Sequence, residues 1–343
     1  MTDPEPELPP VIVGTWQLSA GHRSEPRSRS ELLGEFVRLT ELGLTTFDCA
    51  DIYTGVEEFL GDLRARVRKE RGEAAAGRLR FHTKFVPDYD VLETLTRDDA
   101  ARIVDRSRAR LGVEALDLVQ FAWWDYEVDR WVEVAGWLDE LREEGKIAEL
   151  GATNFDAPSL QAILDAGIPI RTHQVQYSAL DHRPEGEMTA LCREQGVALI
   201  CYGVLAGGFL SDRWLGASPP DDPSNRSLVK YRLIIEEYGG WKRYQALLRE
   251  LRRIGDAVGA SIAQVAAAYA LSRPGVASIL VGASRPERMA EAARAAELEL
   301  PESDRDRIRS LAGAGPEGPV FGLEREKEGP HGRIMKYNLN REG

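Results

Sequence analysis

The chain has 343 residues, 43% of them apolar, and a formal net charge of −12. That length and apolar share suit one large core, and α/β barrels of this size occur as single units. The acidic balance argues against nucleic acid or anionic membranes as partners, but not against one local basic pocket for a phosphate.

Short β-rich runs alternate with amphipathic helical stretches. The first strand is predicted at Val11–Thr15 and the first helix at Ser30–Leu42, closed by Gly43. Strands at Thr45–Asp48, Leu79–Lys84 and Leu116–Phe121 alternate with helices at Val56–Lys69, Arg97–Leu111 and Trp131–Glu144. The second half repeats the rhythm, with strands at Ile147–Thr153, Thr172–Gln176, Ala198–Tyr202 and Ala277–Val281. Helices are predicted at Pro158–Ala166, Glu187–Gln195, Arg243–Val258, Ile262–Ser272 and Pro286–Ala296. The stretch 211–240, with its PPDDPSN run, reads as a loop insertion. The tail 313–343 is rich in Gly, Pro and charge, and is expected to be irregular and to fold over the barrel mouth.

Eight strand–helix alternations require parallel strands with right-handed crossovers, which gives an α/β fold, a (β/α)₈ TIM barrel, as one domain over 1–343. An open doubly wound sheet would need a G-x-G-x-x-G turn after the first strand, and GTWQLSAGHRS stands there instead.

No run of about 18 apolar residues marks a membrane helix. The opening MTDPEPELPP is acidic and proline-rich, unlike a signal peptide. Three cysteines (Cys49, Cys192, Cys201) form no C-x-x-C pair, which suits a reducing compartment, and the chain reads as cytoplasmic. The five histidines show no metal-ligand spacing, so no metal is expected.

In such a barrel the site lies at the C-terminal ends of the strands. Asp48, Lys84, Asn154, Gln174 and Tyr202 all fall there. Buried polar residues are costly unless paired, so several converging on one mouth suggest a site. Asp48 and Lys84 sit on adjacent strands, with Tyr53 in the loop beyond. A lysine cation lowers a tyrosine's pKa and an aspartate holds that lysine charged. Such a tyrosine can protonate a carbonyl oxygen while hydride arrives at carbon. The same three residues also fit a structural ion pair with a loop aromatic beside it.

The segments GLTTFDCADIYTGVEEFLG, HTKF, IAELGATNF, HQVQYSAL, CYGVLAGGFLS and LVGASRPERMAEA occur in that order. Together they resemble the successive motifs of the aldo-keto reductase superfamily, whose members are (β/α)₈ barrels that reduce aldehydes and ketones with NADPH, less often NADH. The resemblance makes Asp48, Tyr53 and Lys84 catalytic, with Tyr53 the general acid. It implies that Thr153, Asn154 and Gln174 hold the nicotinamide carboxamide and that Tyr202 stacks on its ring. Gly203, Leu205 and Gly207 would let the backbone approach the pyrophosphate. Gly282, Ser284, Arg285, Arg288 and Glu291 would grip the adenosine end, with Arg288 on the 2′-phosphate favouring NADPH.

One family position departs. Where a histidine usually ends the fourth strand, this chain has Ala122, which donates no hydrogen bond. Losing one such donor typically costs 10²–10³ in rate, or about 3–4 kcal/mol. His22, Trp123 and Tyr126 are candidate stand-ins. Three readings stay open: a carbonyl reductase with a roomier pocket, an enzyme acting on a C=N or conjugated C=C bond, or a nucleotide-binding sensor. Trp16, Ala122, Trp123 and Trp124 are expected to line the pocket, which suits a small apolar or aromatic carbonyl substrate.

Overall fold

The structure, a computed structural model, describes residues 8–19, 28–221, 226–283, 289–312 and 315–340. Eight parallel strands close into a barrel in sequence order. They are β1 (Val11–Gly14), β2 (Thr46–Asp48), β3 (Arg80–Phe85), β4 (Leu116–Phe121), β5 (Ile147–Thr153), β6 (Ile170–Gln176), β7 (Ala198–Tyr202) and β8 (Val276–Gly282). Closure is made by β1 on β8, with Val11 opposite Ile279 and Gly14 opposite Gly282.

The crossovers follow in chain order. α1 (Arg29–Glu41) precedes β2, and α2 (Val56–Arg71) with the short α3 (Glu73–Ala76) precedes β3. Then come α4 (Arg97–Leu111), α5 (Trp131–Glu143), α6 (Ala157–Asp165) and α7 (Glu187–Gln195), one per strand. Capping boxes start α1 (Ser28 with Glu31) and α4 (Thr96 with Asp99), each satisfying two backbone N–H groups at the helix start.

Between β7 and β8 the chain departs from expectation. The stretch read as an irregular insertion contains α8 (Arg226–Glu237), followed by α9 (Trp241–Val258) and α10 (Ile262–Leu271). Tyr231, Ile234, Ile235 and Tyr238 form one buried stripe at helical spacing, packed on a second core cluster with Tyr244, Leu247 and Leu248. After β8 come α11 (Met289–Arg294), an unanticipated α12 (Glu302–Ala312) and a short α13 (Gly322–Arg325) in the tail. Ile308 of α12 is buried in the same cluster, which is why this charged stretch is helical.

Strand side chains alternate between the barrel interior and the helical layer. Ile12, Leu118, Ile200 and Leu280 fill the interior, with Leu8 packed against them. Phe47, Phe81, Phe85 and Phe121 face outward into the main core. Among the described residues no single helix is long and apolar enough to cross a membrane.

The α2–α4 contact fixes a glycine. A Cβ on Gly61 would lie 2.3 Å from the Arg110 carbonyl oxygen. On Gly34 of α1 a Cβ would meet only the Arg66 guanidinium, at 3.7 Å. Gly61→Ala should therefore lose about 1–3 kcal/mol of stability through overpacking. Gly34→Ala should gain roughly 0.5–1 kcal/mol from helix propensity. Urea unfolding of both variants checks the pair; equal shifts would contradict the packing argument.

Candidate active site

The inward positions of four strands converge in one polar layer above the apolar interior. Lys84 Nζ lies 2.6 Å from Asp48 Oδ2, with both side chains buried. The ammonium also donates to the Cys49 carbonyl at 2.9 Å. Gln120 Nε2 donates to Asp48 Oδ1 at 2.9 Å. Gln174 Nε2 donates to that same oxygen at 2.7 Å and to Gln120 Oε1 at 2.8 Å. Burial is the largest single effect and works against the Lys84 ammonium, but the Asp48 carboxylate, with smaller contributions from Tyr53 and Cys49, holds the lysine above its ordinary pKa. Gly151 on β5 leaves room for this layer, since a Cβ there would meet Thr172 Oγ1 at 2.5 Å and Gln120 Cγ at 3.2 Å. Gln120 was not anticipated as a site residue. Its inward parity on β4, two residues before Ala122, is the sequence feature that marks it.

Tyr53 stands above the layer. Lys84 Nζ is 5.4 Å from its ring centroid, and the Trp16 ring meets it edge-on at 4.7 Å. The sequence argument has the lysine lowering this tyrosine's pKa. The structure corrects the net direction. Burial of the phenol is the larger effect and pushes the pKa up to about 12, with Lys84 pulling it down only in part. Tyr53 is therefore a phenol throughout the neutral range.

A second constellation adjoins the first. Asn154 has a left-handed backbone (φ 63°), and its N–H donates to the Gln174 carbonyl at 3.0 Å. Its Oδ1 accepts from the Tyr202 hydroxyl at 2.9 Å. Among the described residues that leaves the Asn154 amide N–H₂ as an uncommitted donor. Gln174 spends its N–H₂ on Asp48 and Gln120, which leaves its Oε1, among the same residues, as an uncommitted acceptor. One donor and one acceptor on neighbouring strands complement a primary carboxamide, whose oxygen accepts and whose nitrogen donates. The Thr153 hydroxyl is used within the barrel, donating to the Gln174 carbonyl at 3.2 Å.

Other anticipated residues sit as follows. Ala122 is half-buried at the next inward position of β4. Trp124 is partly buried, donates from Nε1 to the Pro87 carbonyl and meets the Tyr337 ring at 5.2 Å. Trp123 is a correction. Strand parity turns it outward, it is 2% exposed and lies against Phe121, and its Nε1 donates to the Asp125 and Val128 carbonyls. Tyr126 is likewise engaged elsewhere, since its hydroxyl accepts from the Asp156 N–H at the start of α6. Neither replaces a histidine at position 122. Gly203 and Gly207 have positive φ, and the close approach they allow is taken by Tyr231 of α8, whose hydroxyl oxygen would lie 2.3 Å from a Cβ on Gly203 and whose Cδ2 would lie 2.7 Å from one on Gly207. Leu205 is partly buried between the two clusters. Gly282 faces Gln17, whose Nε2 would lie 2.3 Å from a Cβ there. Glu291 is exposed on α11, and its carbonyl accepts from Gln264. His22, Ser284, Arg285 and Arg288 lie outside the described residues.

The cover of the mouth was legible only as a region. Arg183, in the loop after β6, joins Asp181 at 2.7 Å and Glu324 of α13 at 2.9 Å, all three side chains buried. Lys230 of α8 reaches Glu324 at 3.7 Å. Burial presses the Lys230 ammonium below its ordinary pKa, and Glu324 opposes that. Arg325 Nη2 donates to the Trp123 and Asn154 carbonyls, and its guanidinium lies 4.1 Å from the centre of the Tyr126 ring. Further along, the Tyr337 carbonyl accepts from the Tyr89 N–H, and Asn340 bonds Val86 and Asp88.

The family profile described as "Aldo/keto reductase family" matches residues 10–312. Flagellar radial spoke protein 5 of Chlamydomonas reinhardtii is 32% identical over 247 residues, 61% of this chain and 46% of that protein, so the chain spans under half of it. The NADH-specific methylglyoxal reductase of Escherichia coli (strain K12) is 27% identical over 67% of this chain and 69% of its own length. The crystal structure of the thermostable aldo-keto reductase Tm1743, solved with the inhibitor epalrestat, superposes with a TM-score of 0.68 at 25% identity, over 89% of this chain and 95% of that one.

Two outcomes follow from the polar layer. Lys84→Met leaves the Asp48 carboxylate buried with amide donors only, and should cost about 3–5 kcal/mol in urea unfolding. With its pKa near 12, Tyr53 should be only roughly one tenth ionised at pH 11. The tyrosinate absorbance of wild type and Tyr53→Phe should therefore coincide up to about that pH; a difference near pH 9 would contradict the burial effect.

Proposed function

The chain belongs to the aldo-keto reductase family of NAD(P)H-dependent oxidoreductases, and we propose that it reduces the carbonyl of an aldehyde or ketone, with Tyr53 as proton donor and NADPH as cofactor. The observation that carries this reading is the phenol over a lysine clamped by a buried carboxylate, beside an amide donor and acceptor left uncommitted.

A reduced nicotinamide, when bound, would supply hydride chemistry at the carbonyl carbon. Asn154 Nδ2 and Gln174 Oε1 would hold its carboxamide and fix which ring face is presented, and Tyr202 would support the ring. The Tyr53 hydroxyl gives its proton to the carbonyl oxygen as charge develops there. The resulting phenolate is stabilised by the Lys84 ammonium, which Asp48 keeps in place. Asp48 does not touch substrate in this scheme; through Gln174 it also aims the carboxamide acceptor.

Ala122 gives the carbonyl oxygen no donor from β4, so proton donation rests on Tyr53 alone there. A pocket lined by Ala122, Trp16 and Trp124 would suit an apolar or aromatic substrate. The same absence favours, as a second reading, a C=N or conjugated C=C substrate. NADPH is preferred to NADH because Arg288 occupies the family's 2′-phosphate position, although one relative is named as NADH-specific.

The test is NADPH titration by tryptophan fluorescence, followed by loss of NADPH absorbance with a panel of aldehydes and ketones. Turnover should fall about 10²–10⁴-fold in Tyr53→Phe, with NADPH still bound. Binding without carbonyl turnover would overturn the carbonyl assignment in favour of the second reading, and no binding would overturn both. Arg288→Ala should weaken NADPH far more than NADH; equal weakening would remove the 2′-phosphate assignment.

A further inference from the structure

Lys230 is a cation that the proposed chemistry does not use. It sits on α8, which covers the Gly203–Gly207 turn. Its Nζ lies 5.2 Å from the centre of the Tyr202 ring, 5.8 Å from Tyr231 and 5.9 Å from Phe321. Its side chain is 17% exposed, so water screens it little. Among the described residues its salt-bridge partner is Glu324, at 3.7 Å, and Asp181 also favours its charged form. The Glu324 carboxylate is already bonded through both oxygens by Arg183, at 2.9 and 3.3 Å. Asp181 is likewise held by Arg183, through three contacts. Arg183 thus bonds both carboxylates directly, and Lys230 joins the group through Glu324 at 3.7 Å.

The two redox forms of the cofactor differ where this charge lies. They share the adenosine, the phosphates and the carboxamide. The oxidised nicotinamide ring is a cation and the reduced ring is neutral. A fixed ammonium close to the ring that carries the nicotinamide therefore acts on one form and not on the other.

We propose that Lys230 makes the site discriminate between the two redox states, weakening NADP⁺ relative to NADPH and so favouring capture of the reduced cofactor and release of the spent one, while the same charge opposes hydride loss from the bound reduced ring. The inference rests on the reading of Tyr202 as the nicotinamide support. Any attraction of Lys230 for the phosphates is common to both forms and cancels in their ratio. A lysine that only ties α8 to the tail would leave that ratio unmoved.

The experiment measures Kd for NADP⁺ and for NADPH separately, by tryptophan fluorescence at neutral pH, in wild type, Lys230→Met and Lys230→Arg. Thermal melts report whether each variant is folded. Lys230→Met should lower the ratio Kd(NADP⁺)/Kd(NADPH) by about tenfold, and Lys230→Arg, which keeps the charge, should stay near wild type. A ratio unchanged in folded Lys230→Met, whether both forms weaken together or neither moves, overturns the proposal while leaving the reductase reading intact. A ratio altered as much in Lys230→Arg as in Lys230→Met also overturns it, because the charge would not be the cause. If wild type binds neither form, the nicotinamide reading fails first and this inference with it. If Lys230→Met does not fold, Lys230→Gln with the same ratio decides.

Discussion

A carboxylate and an ammonium buried side by side at the wide end of the barrel set the terms for the rest of this site. Removing two such charges from water costs several kcal/mol per ion, and mutual attraction offsets that only if the remaining lone pairs and hydrogens are also satisfied. Asp48 meets the condition through Lys84 and two amides, and Lys84 through Asp48 and the Cys49 carbonyl. The parity of β2, β3, β4 and β6 delivers all four side chains to one layer, and Gly151 on β5 leaves the space they need. The pair also orients its surroundings. Because Asp48 and Gln120 take both amide hydrogens of Gln174, that amide cannot flip without losing two bonds, and its oxygen is left to face a ligand.

Outside the barrel a second buried ionic chain does a different task. Asp181, Arg183, Glu324 and Lys230 come from the β6 loop, the tail and α8. None of them belongs to the barrel strands. They tie the two segments that cover the mouth to each other and to the rim. Tyr337 on Trp124 and Asn340 on the β3 loop extend the cover to the other side. The polar layer is thus carried by strands, and this ionic chain by the loops and helices outside them.

Much of this was legible in the sequence for a physical reason. Strand–helix alternation and inward parity are periodic, so the barrel and the convergence of Asp48, Lys84, Asn154, Gln174 and Tyr202 could be read from spacing. Gln120 obeyed the same parity and was overlooked because nothing but its position distinguishes it. Trp123 was assigned to the pocket from its neighbours, although one step of parity from Ala122 turns it into the core. α8 was hidden because PPDDPSN reads as loop and the apolar stripe begins only after it. The partners of the cover were not legible at all, since Arg183 and Glu324 are 141 residues apart in the chain. The direction of the Tyr53 pKa shift also lay beyond spacing. It depends on how much water the folded mouth excludes, and this outweighs the lysine beside it.

That balance bears on the acid of the proposed reduction. Burial raises the cost of the Tyr53 phenolate, so the proton stays on oxygen until a substrate calls for it. Lys84 acts in the opposite sense, and its attraction is strongest in the same low-dielectric surroundings once the phenolate forms. In the proposed reduction, excluding water would therefore protect the acid before transfer and strengthen its stabilisation during transfer. An exposed Tyr53 would lose both effects, whatever its distance from Lys84. With Ala122 offering no donor, proton donation to the carbonyl oxygen would, in the proposed reduction, depend on this single hydroxyl, whose burial and neighbouring lysine act on it in opposite senses.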